Sequence, residues 1–128
     1  MQLLLDTHAL LWWLVGSDRL SATARTAVGD STNTVFVSAV SSWEVATKFR
    51  LGKLPSAAVV AQDLHRHVAR QGFAELPVSF AHGQRAGSLP GLHRDPFDRM
   101  LIAQAQANDL ALVSNEALFD AYGVRRVW

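Results

Sequence analysis

Apolar and polar positions follow two different periods along this chain. Short apolar or β-branched runs predict strands at about Gln2–Asp6, Thr34–Ser38, Phe73–Val78, Leu110–Ser114 and Val124–Trp128. Apolar residues recurring every three or four positions predict helices, namely one that carries Leu10, Leu11, Trp13 and Leu14, and others at about Ser21–Val28, Val40–Leu51, Ser56–Gly72, Ser79–Ala86, Pro96–Asn108 and Ala117–Ala121. Gly87–Arg94, with Pro90 and Gly91, is predicted to be a loop. Alternating strands and helices predict an α/β fold with three α/β/α layers, whose central, mainly parallel sheet has about five strands.

Length and composition limit the classes of protein that the chain can belong to. A chain of 128 residues, 49% of them hydrophobic, is expected to form a single domain over residues 1–128. Because the chain has no cysteine, it has no disulfide and no thiolate-bound zinc or iron–sulfur cluster, which leaves hard cations bound by oxygen. No stretch approaches the roughly 20 apolar residues of a membrane span. We therefore expect a soluble, cytoplasmic protein with no membrane partner.

Acidic residues stand where the predicted secondary structure changes. Each follows a predicted strand or begins a predicted helix, and together they are Asp6, Glu44, Asp95, Asp98 and Glu116. The carboxyl ends of parallel strands meet at one edge of a sheet, where open α/β folds bind ligands. The sequence therefore predicts a metal site assembled from distant segments at that edge.

Carboxylates brought together in this way favour one kind of chemistry. Their mutual repulsion raises each other's pKa, and a hard divalent cation relieves that repulsion. Mg²⁺ or Mn²⁺ held by a few carboxylates keeps water ligands and supports hydrolysis of phosphodiesters. The sequence therefore suggests a metal-dependent nuclease.

Helix capping is the alternative explanation for each of these acids. Ser41-Ser42-Trp43-Glu44 fits a capping box, and Asp95 followed by Pro96 fits a helix start. The remaining caps would come from Asp6 or Thr7 at the first helix and from Asn115 at the last, where Glu116 would favour the positive end of the helix. Capping does not require an acid at every strand end, however, since Ser, Thr and Asn serve as well. We therefore favour a metal site and assign the cap to Asp95 and the metal to Asp98.

The charge balance and the polar residues near the acids say less about function than the acids do. With the five acids neutralised by cations, twelve basic residues, ten of them arginine, would face six remaining acids. Ordinary arginine usage in a GC-rich genome explains this composition equally well, so charge permits a nucleic-acid substrate without requiring one. Thr7, His8 and Ser114 are candidates for groups that orient a metal ligand, a water or the substrate.

Four acidic motifs, in this order and spacing, resemble those of the PIN-domain ribonucleases and in particular of the VapC toxins of bacterial toxin–antitoxin modules. The resemblance rests on Leu3-Leu4-Leu5-Asp6-Thr7-His8, Ser38-Ala39-Val40-Ser41-Ser42-Trp43-Glu44, His93-Arg94-Asp95-Pro96-Phe97-Asp98 and Leu112-Val113-Ser114-Asn115-Glu116. It implies that Asp6, Glu44 and Asp98 are the invariant catalytic acids and metal ligands. Glu116 stands at the fourth acidic position, where the family usually has aspartate.

The resemblance also implies a function and its partners. They are Mg²⁺- or Mn²⁺-dependent cleavage of RNA, a homodimer, and inhibition by a VapB-type antitoxin. The main alternative is a non-catalytic PIN-like module that binds RNA or protein. A phosphoacceptor receiver domain would need a lysine near a late strand, whereas the only lysines are Lys48 and Lys53, and a haloacid-type phosphatase would need an aspartate in place of His8.

Overall fold

Residues 1–91 and 93–128 are described in the computed structural model, so Leu92, within the predicted loop, lies outside the described residues. The strands are β1 Gln2–Leu5, β2 Thr34–Ser38, β3 Ala74–Leu76, β4 Ala111–Val113 and β5 Arg126–Val127. The α-helices are α1 Thr7–Val15, α2 Ala22–Gly29, α3 Ala39–Arg50, α4 Ala58–Gln62, α5 Leu64–Arg70, α6 Phe80–Ser88 and α7 Pro96–Asn108. Two 3₁₀-helices, Pro55–Ala57 and Ala117–Tyr122, complete the order.

The five strands form one sheet in the order β3-β2-β1-β4-β5, and every neighbouring pair is parallel. The register aligns Leu5 of β1 with Val37 of β2 on one side and with Val113 of β4 on the other. The predicted α/β fold with a central parallel sheet is therefore confirmed. This register also brings the ends of β1, β2 and β4 level, so the residues that follow them share one edge.

Alternate residues of the central strands face opposite layers of helices. Leu3 and Leu5 pack with α1 and α2 residues such as Leu10 and Ala24. Leu4 and Leu112 point to the other face and pack with α7 residues such as Ile102. Because both faces are covered, the buried residues 3–5 of β1 and all of β4 are apolar, as is typical of buried parallel strands.

The predicted helix Ser56–Gly72 is wrong as a single element. It is divided into the first 3₁₀-helix, α4 and α5, with a break at Asp63, whose φ of −141° and ψ of 45° are not helical. Val60 packs near α1 and α3, whereas Val68 packs against the sheet, and one straight helix does not reach both places. The expected common apolar face is wrong for Val59 as well, since its side chain is 78% exposed.

Other differences from the predicted elements are small. The last predicted helix is a 3₁₀-helix, and β5 has only two residues. The apolar run of α1 is divided between core and surface, because Leu11 is buried whereas Trp12, Trp13 and Leu14 are only partly covered. Within the described residues, no helix is both long and apolar enough to cross a membrane.

Candidate active site at the carboxyl edge of the sheet

The carboxyl edge of the sheet brings four helix starts together. α1 follows β1, α3 follows β2, the last 3₁₀-helix follows β4, and α7 begins at the same edge before returning to β4. Three of these starts carry predicted acids, and Glu44 lies one turn into α3. The helix dipoles place their positive ends here, which favours negative charge.

Asp6 is buried, with 6% of its surface exposed, and it caps α1 by accepting a hydrogen bond from the Ala9 amide through Oδ1 (2.7 Å). Burial raises the pKa of Asp6 above its ordinary value, and the nearby charge of Glu44 acts in the same direction. Hydrogen bonds from the Ser114 hydroxyl and the Ala9 amide lower this pKa by smaller amounts. The cap of α1 therefore uses Oδ1 of this carboxylate.

Glu44 is the second buried acid, and its carboxylate is engaged on both oxygens. The Thr7 hydroxyl donates to Oε1 (2.6 Å), and Lys48, one turn further along α3, donates to Oε2 (2.5 Å). α3 begins at Ala39 with Ser38 as its cap, so the capping-box interpretation of Glu44 is wrong. The side chain reaches toward α1 instead.

Asp95 is the cap of α7, and Asp98 lies in the first turn of the same helix. Oδ1 of Asp95 accepts hydrogen bonds from the amides of Phe97 (2.9 Å) and Asp98 (3.2 Å), so the predicted cap is confirmed. The Asp98 side chain is 23% exposed and lies in the first turn of α7. Burial raises the pKa of Asp98 to about 7, with further contributions from four acids, in decreasing order Asp95, Glu44, Asp6 and Glu116.

His93 lies beside Asp98, with its Nε2 atom 3.1 Å from Oδ2 of the carboxylate. The angle is poor for a hydrogen bond, and Nε2 is buried with no hydrogen-bond partner among the described residues. The guanidinium of Arg99 donates to the carbonyl oxygens of Ala86, Leu89 and His93, which fixes the segment that leads into α7.

Glu116 lies at the border of the cluster. It caps the last 3₁₀-helix through a hydrogen bond from the Leu118 amide to Oε1 (3.2 Å), so a cap by Asn115 is wrong. The buried Ser114 hydroxyl accepts a hydrogen bond from the Glu116 amide (2.9 Å). His8 is exposed on α1, and its ring stacks on that of Trp12 with centroids 5.6 Å apart.

The donor set fits a hard divalent cation. All the acids that raise the pKa of Asp98 are carboxylates from different segments, and their repulsion is the kind that a cation relieves. As the side chains are placed, no three Asp, Glu or His residues among 1–91 and 93–128 already form a metal-binding group. In this arrangement the Glu44 carboxylate is paired with the Lys48 ammonium.

Reasoning from the sequence missed three residues at this edge. Ser41 is fully buried with its hydroxyl 3.1 Å from that of Thr7, Lys48 pairs with Glu44, and His93 contacts Asp98. The spacing of Glu44 and Lys48, four residues apart in a predicted helix, was a usable signal. His93 offered no such signal, since its approach to Asp98 depends on the path of the preceding loop.

A comparison with protein families finds that the PIN domain family model matches residues 3–124. Among curated proteins, Ribonuclease VapC16 of Mycobacterium tuberculosis is 40% identical over 78 residues, covering 56% of this chain. The chain spans about half the length of that curated relative, 55% of it being matched.

Solved structures support the fold. A chain from the crystal structure of VapBC2 from Rickettsia felis, bound to a DNA fragment from their promoter, aligns with a TM-score of 0.70 and 16% identity over the full length of both chains. A domain of a functionally unknown protein from Methanocaldococcus jannaschii aligns with a TM-score of 0.60 and 12% identity, covering 98% of this chain and 88% of that one. At these identities the likeness concerns the fold alone.

Proposed function

The chain belongs to the PIN-domain family, and from this premise we propose that it is an endoribonuclease toxin of the VapC type that hydrolyses RNA phosphodiesters with Mg²⁺ or Mn²⁺. The observation that carries the proposal is the state of Asp98. Its pKa of about 7 reflects a carboxylate that is largely buried and faces other carboxylates. Strongly perturbed acids of this kind in a cleft are typical of catalytic sites.

Asp6, Glu44 and Asp98 are the proposed ligands of the cation, with Glu116 as a fourth, more distant acid. When bound, the cation polarises a phosphoryl oxygen and lowers the pKa of a water ligand, which makes hydroxide available at neutral pH. The proposed attacking group is a water activated by the cation, and the sequence, which has no cysteine, supplies no thiolate nucleophile.

The surrounding residues hold the acids in place. The Thr7 hydroxyl orients Glu44 through its 2.6 Å hydrogen bond, and the Ala9 amide fixes Oδ1 of Asp6. Asp95 fixes the first turn of α7 and therefore the direction of Asp98. The Lys48 ammonium neutralises the Glu44 carboxylate, and a cation held by Glu44 would compete with it for that carboxylate.

We also propose that a VapB-type antitoxin neutralises the protein and that the protein forms a homodimer. The support is the name of the curated relative and the VapBC2 complex in which the structural neighbour occurs. Exposed apolar side chains are available for such contacts, among them Phe80 (93% exposed) and Val59 (78% exposed). Because RNA is the proposed substrate, we expect the protein in the cytoplasm.

Cleavage of RNA by the purified, antitoxin-free protein tests the proposal. We expect cleavage with Mg²⁺ or Mn²⁺ and none in excess chelator. Asp6→Asn should lower the rate at least roughly 100-fold, as loss of one catalytic group does, while the circular dichroism spectrum stays that of the parent.

Asp30→Asn is the matched control, since Asp30 lies between α2 and β2 and hydrogen-bonds within its own turn. It should cleave RNA at the parental rate. Equal cleavage with and without chelator would refute the metal mechanism. RNA binding without any cleavage would favour the non-catalytic PIN-like module instead.

A further inference from the structure

A groove beside the acid cluster has the chemistry of a single-stranded RNA site. We propose that it binds the RNA strand leading into the active site, with a base stacked on the His8–Trp12 pair and phosphates held by Arg19 and Lys53. The proposal rests on the proposed function, because it assigns the form of the substrate and one path by which it approaches the acids.

The groove adjoins the candidate active site at Glu116. It has a volume of about 420 Å³ and is bordered by α1, by the segment that follows α3 and by the start of the last 3₁₀-helix. Asn115 and Glu116 line it, so Glu116 belongs both to the acid cluster and to the groove. A strand that lies in the groove therefore reaches the border of the acid cluster at Glu116.

The aromatic side of the groove suits an unpaired base. The rings of His8 and Trp12 stack with an interplanar angle of 26°, and Trp12 also contacts Trp128, whose ring is tilted by 54° with its centroid 5.8 Å away. Unpaired bases stack on aromatic side chains of this kind whatever their sequence. Bases inside an A-form duplex are already stacked on each other, so the platform favours a single strand.

The groove also carries positive charge. Arg19 and Lys53 are both exposed, line the groove, and form no ion pair with any other residue that the structure describes. By contrast, Lys48 and Arg126 are paired with carboxylates and are less available to a phosphate. Two cations and an aromatic platform in one groove match the phosphates and bases of a nucleic-acid strand.

A second cavity near the same edge lacks this combination. Its volume is about 410 Å³, and its walls are mainly apolar, with Val37, Leu64 and Val68 among them. Its imidazole, that of His65, is paired with Glu75 at 2.9 Å. Among the residues that line this cavity, the basic side chain is therefore already paired with a carboxylate and is less available to a phosphate.

Fluorescence anisotropy with a labelled oligoadenylate RNA, about 12 nucleotides long to match the site sizes of single-strand binding proteins, tests the groove. Binding is measured in the Asp98→Asn background in chelator, so that the probe is not cut. The double change Arg19→Ala and Lys53→Ala should reduce the slope of log affinity against log salt by about 1.4, or about 0.7 for each phosphate that the protein no longer neutralises. His8→Ala should weaken binding about 5-fold or more through loss of stacking, with little change in slope.

Arg70→Ala is the control, because Arg70 is an exposed arginine of α5 outside the groove. It should lower the slope less than the double change does. Melting curves of all variants should match the background, since the changed side chains are exposed. An unchanged slope and affinity in the groove variants would overturn the proposal. Unchanged RNA binding together with loss of the dimer in light scattering would assign the groove to a protein contact and would also overturn it.

The outcomes for groove and function are separable. Cleavage by the parent with Mg²⁺, combined with groove variants that keep the parental slope, contradicts the groove and leaves the proposed function intact. Altered slopes with no cleavage by the parent under any metal contradict the proposed function and support the groove as an RNA site.

Discussion

Aspartates at the two edges of the sheet differ in burial and, where the pKa is shifted, in the direction of that shift. At the amino edge, Asp30 precedes β2 and Asp109 precedes β4. Asp30 accepts hydrogen bonds from the Thr32 amide (2.9 Å) and hydroxyl (2.7 Å), which lower its pKa, and the Asp109 side chain is 98% exposed. At the carboxyl edge, by contrast, Asp6 and Asp98 are largely buried and their pKa values are raised.

The difference distinguishes an acid that stabilises a turn from an acid that serves a ligand. The carboxylate of Asp30 is stabilised by donors of its own loop and by water. Asp98 is desolvated and faces other carboxylates, so its charged form opposes folding when no cation is present. A group that destabilises its own fold indicates selection for binding or catalysis.

The largest difference between the edges should be in catalysis. Asp98→Asn removes one proposed ligand and should lower Mg²⁺-dependent RNA cleavage at least roughly 100-fold. Asp109→Asn, at the opposite edge, should leave the rate at the parental value. Single-turnover cleavage assays check both. Similar rates in the two variants would remove the functional distinction between the edges.

Stability without metal should show the same contrast through its pH dependence. The pKa of Asp98 is about 7 in the folded protein against an ordinary 3.8, so the folded state binds more protons between these values and loses stability as the pH rises. Asp98→Asn does not titrate. The free energy of unfolding of the variant should therefore exceed that of the parent only slightly at pH 4. The excess should grow with pH and reach a plateau above pH 7 of at most about 4 kcal/mol.

Urea unfolding in chelator across this pH range measures the difference in free energy of unfolding between variant and parent. Asp30→Asn, as the control, should show no such gain over the parent. The ionisable groups that face Asp98 are Asp6, Glu44, His93, Asp95 and Glu116, all of which remain in the variant. Magnesium should raise the melting temperature of the variant less than that of the parent, because that rise requires binding to the folded state. A parent more stable than the variant at pH 8 would place Asp98 outside the cluster.

Changing Lys48 tests whether its ammonium and a metal ion compete for the Glu44 carboxylate at the carboxyl edge. Lys48→Met leaves the buried Glu44 carboxylate without its cation and should destabilise the metal-free protein by about 1 to 3 kcal/mol. Magnesium should then raise the melting temperature more than in the parent, since it no longer competes with an ammonium. Lys53→Met, which changes the other lysine of the sequence, is the control and should alter neither quantity. A smaller magnesium effect in Lys48→Met would contradict the competition.

Glu116 should give the smallest effect among the four acids. Its carboxylate is occupied by the Leu118 amide, and it contributes least of the four acids to the raised pKa of Asp98. Glu116→Gln should therefore lower cleavage about 10-fold, the lower end for groups that act on a metal site from outside its ligands. A loss as large as that of Asp98→Asn would instead make Glu116 a direct ligand.

Local signals in the sequence predicted much of the fold and the identity of the candidate acids. Ser21, Ser79 and Asp95 were placed correctly at helix starts, and Thr34–Ser38 and Pro96–Asn108 match the observed elements. These features depend on contacts within a few residues. The division of the helix after Ser56 was not predicted, because it depends on two separate hydrophobic clusters that the linear pattern does not separate.

Because periodicity and capping are local properties, the sequence alone was enough to place most of the acids directly after strands or at helix starts. Which of these acids are buried together was decided only by the tertiary structure. The sheet order places β1 between β2 and β4, and that order brings Asp6 beside Glu44, Asp98 and Ser114. Desolvation and repulsion act over a few ångströms in space, and residues that lie tens of positions apart in the chain reach those distances only after the layers have packed.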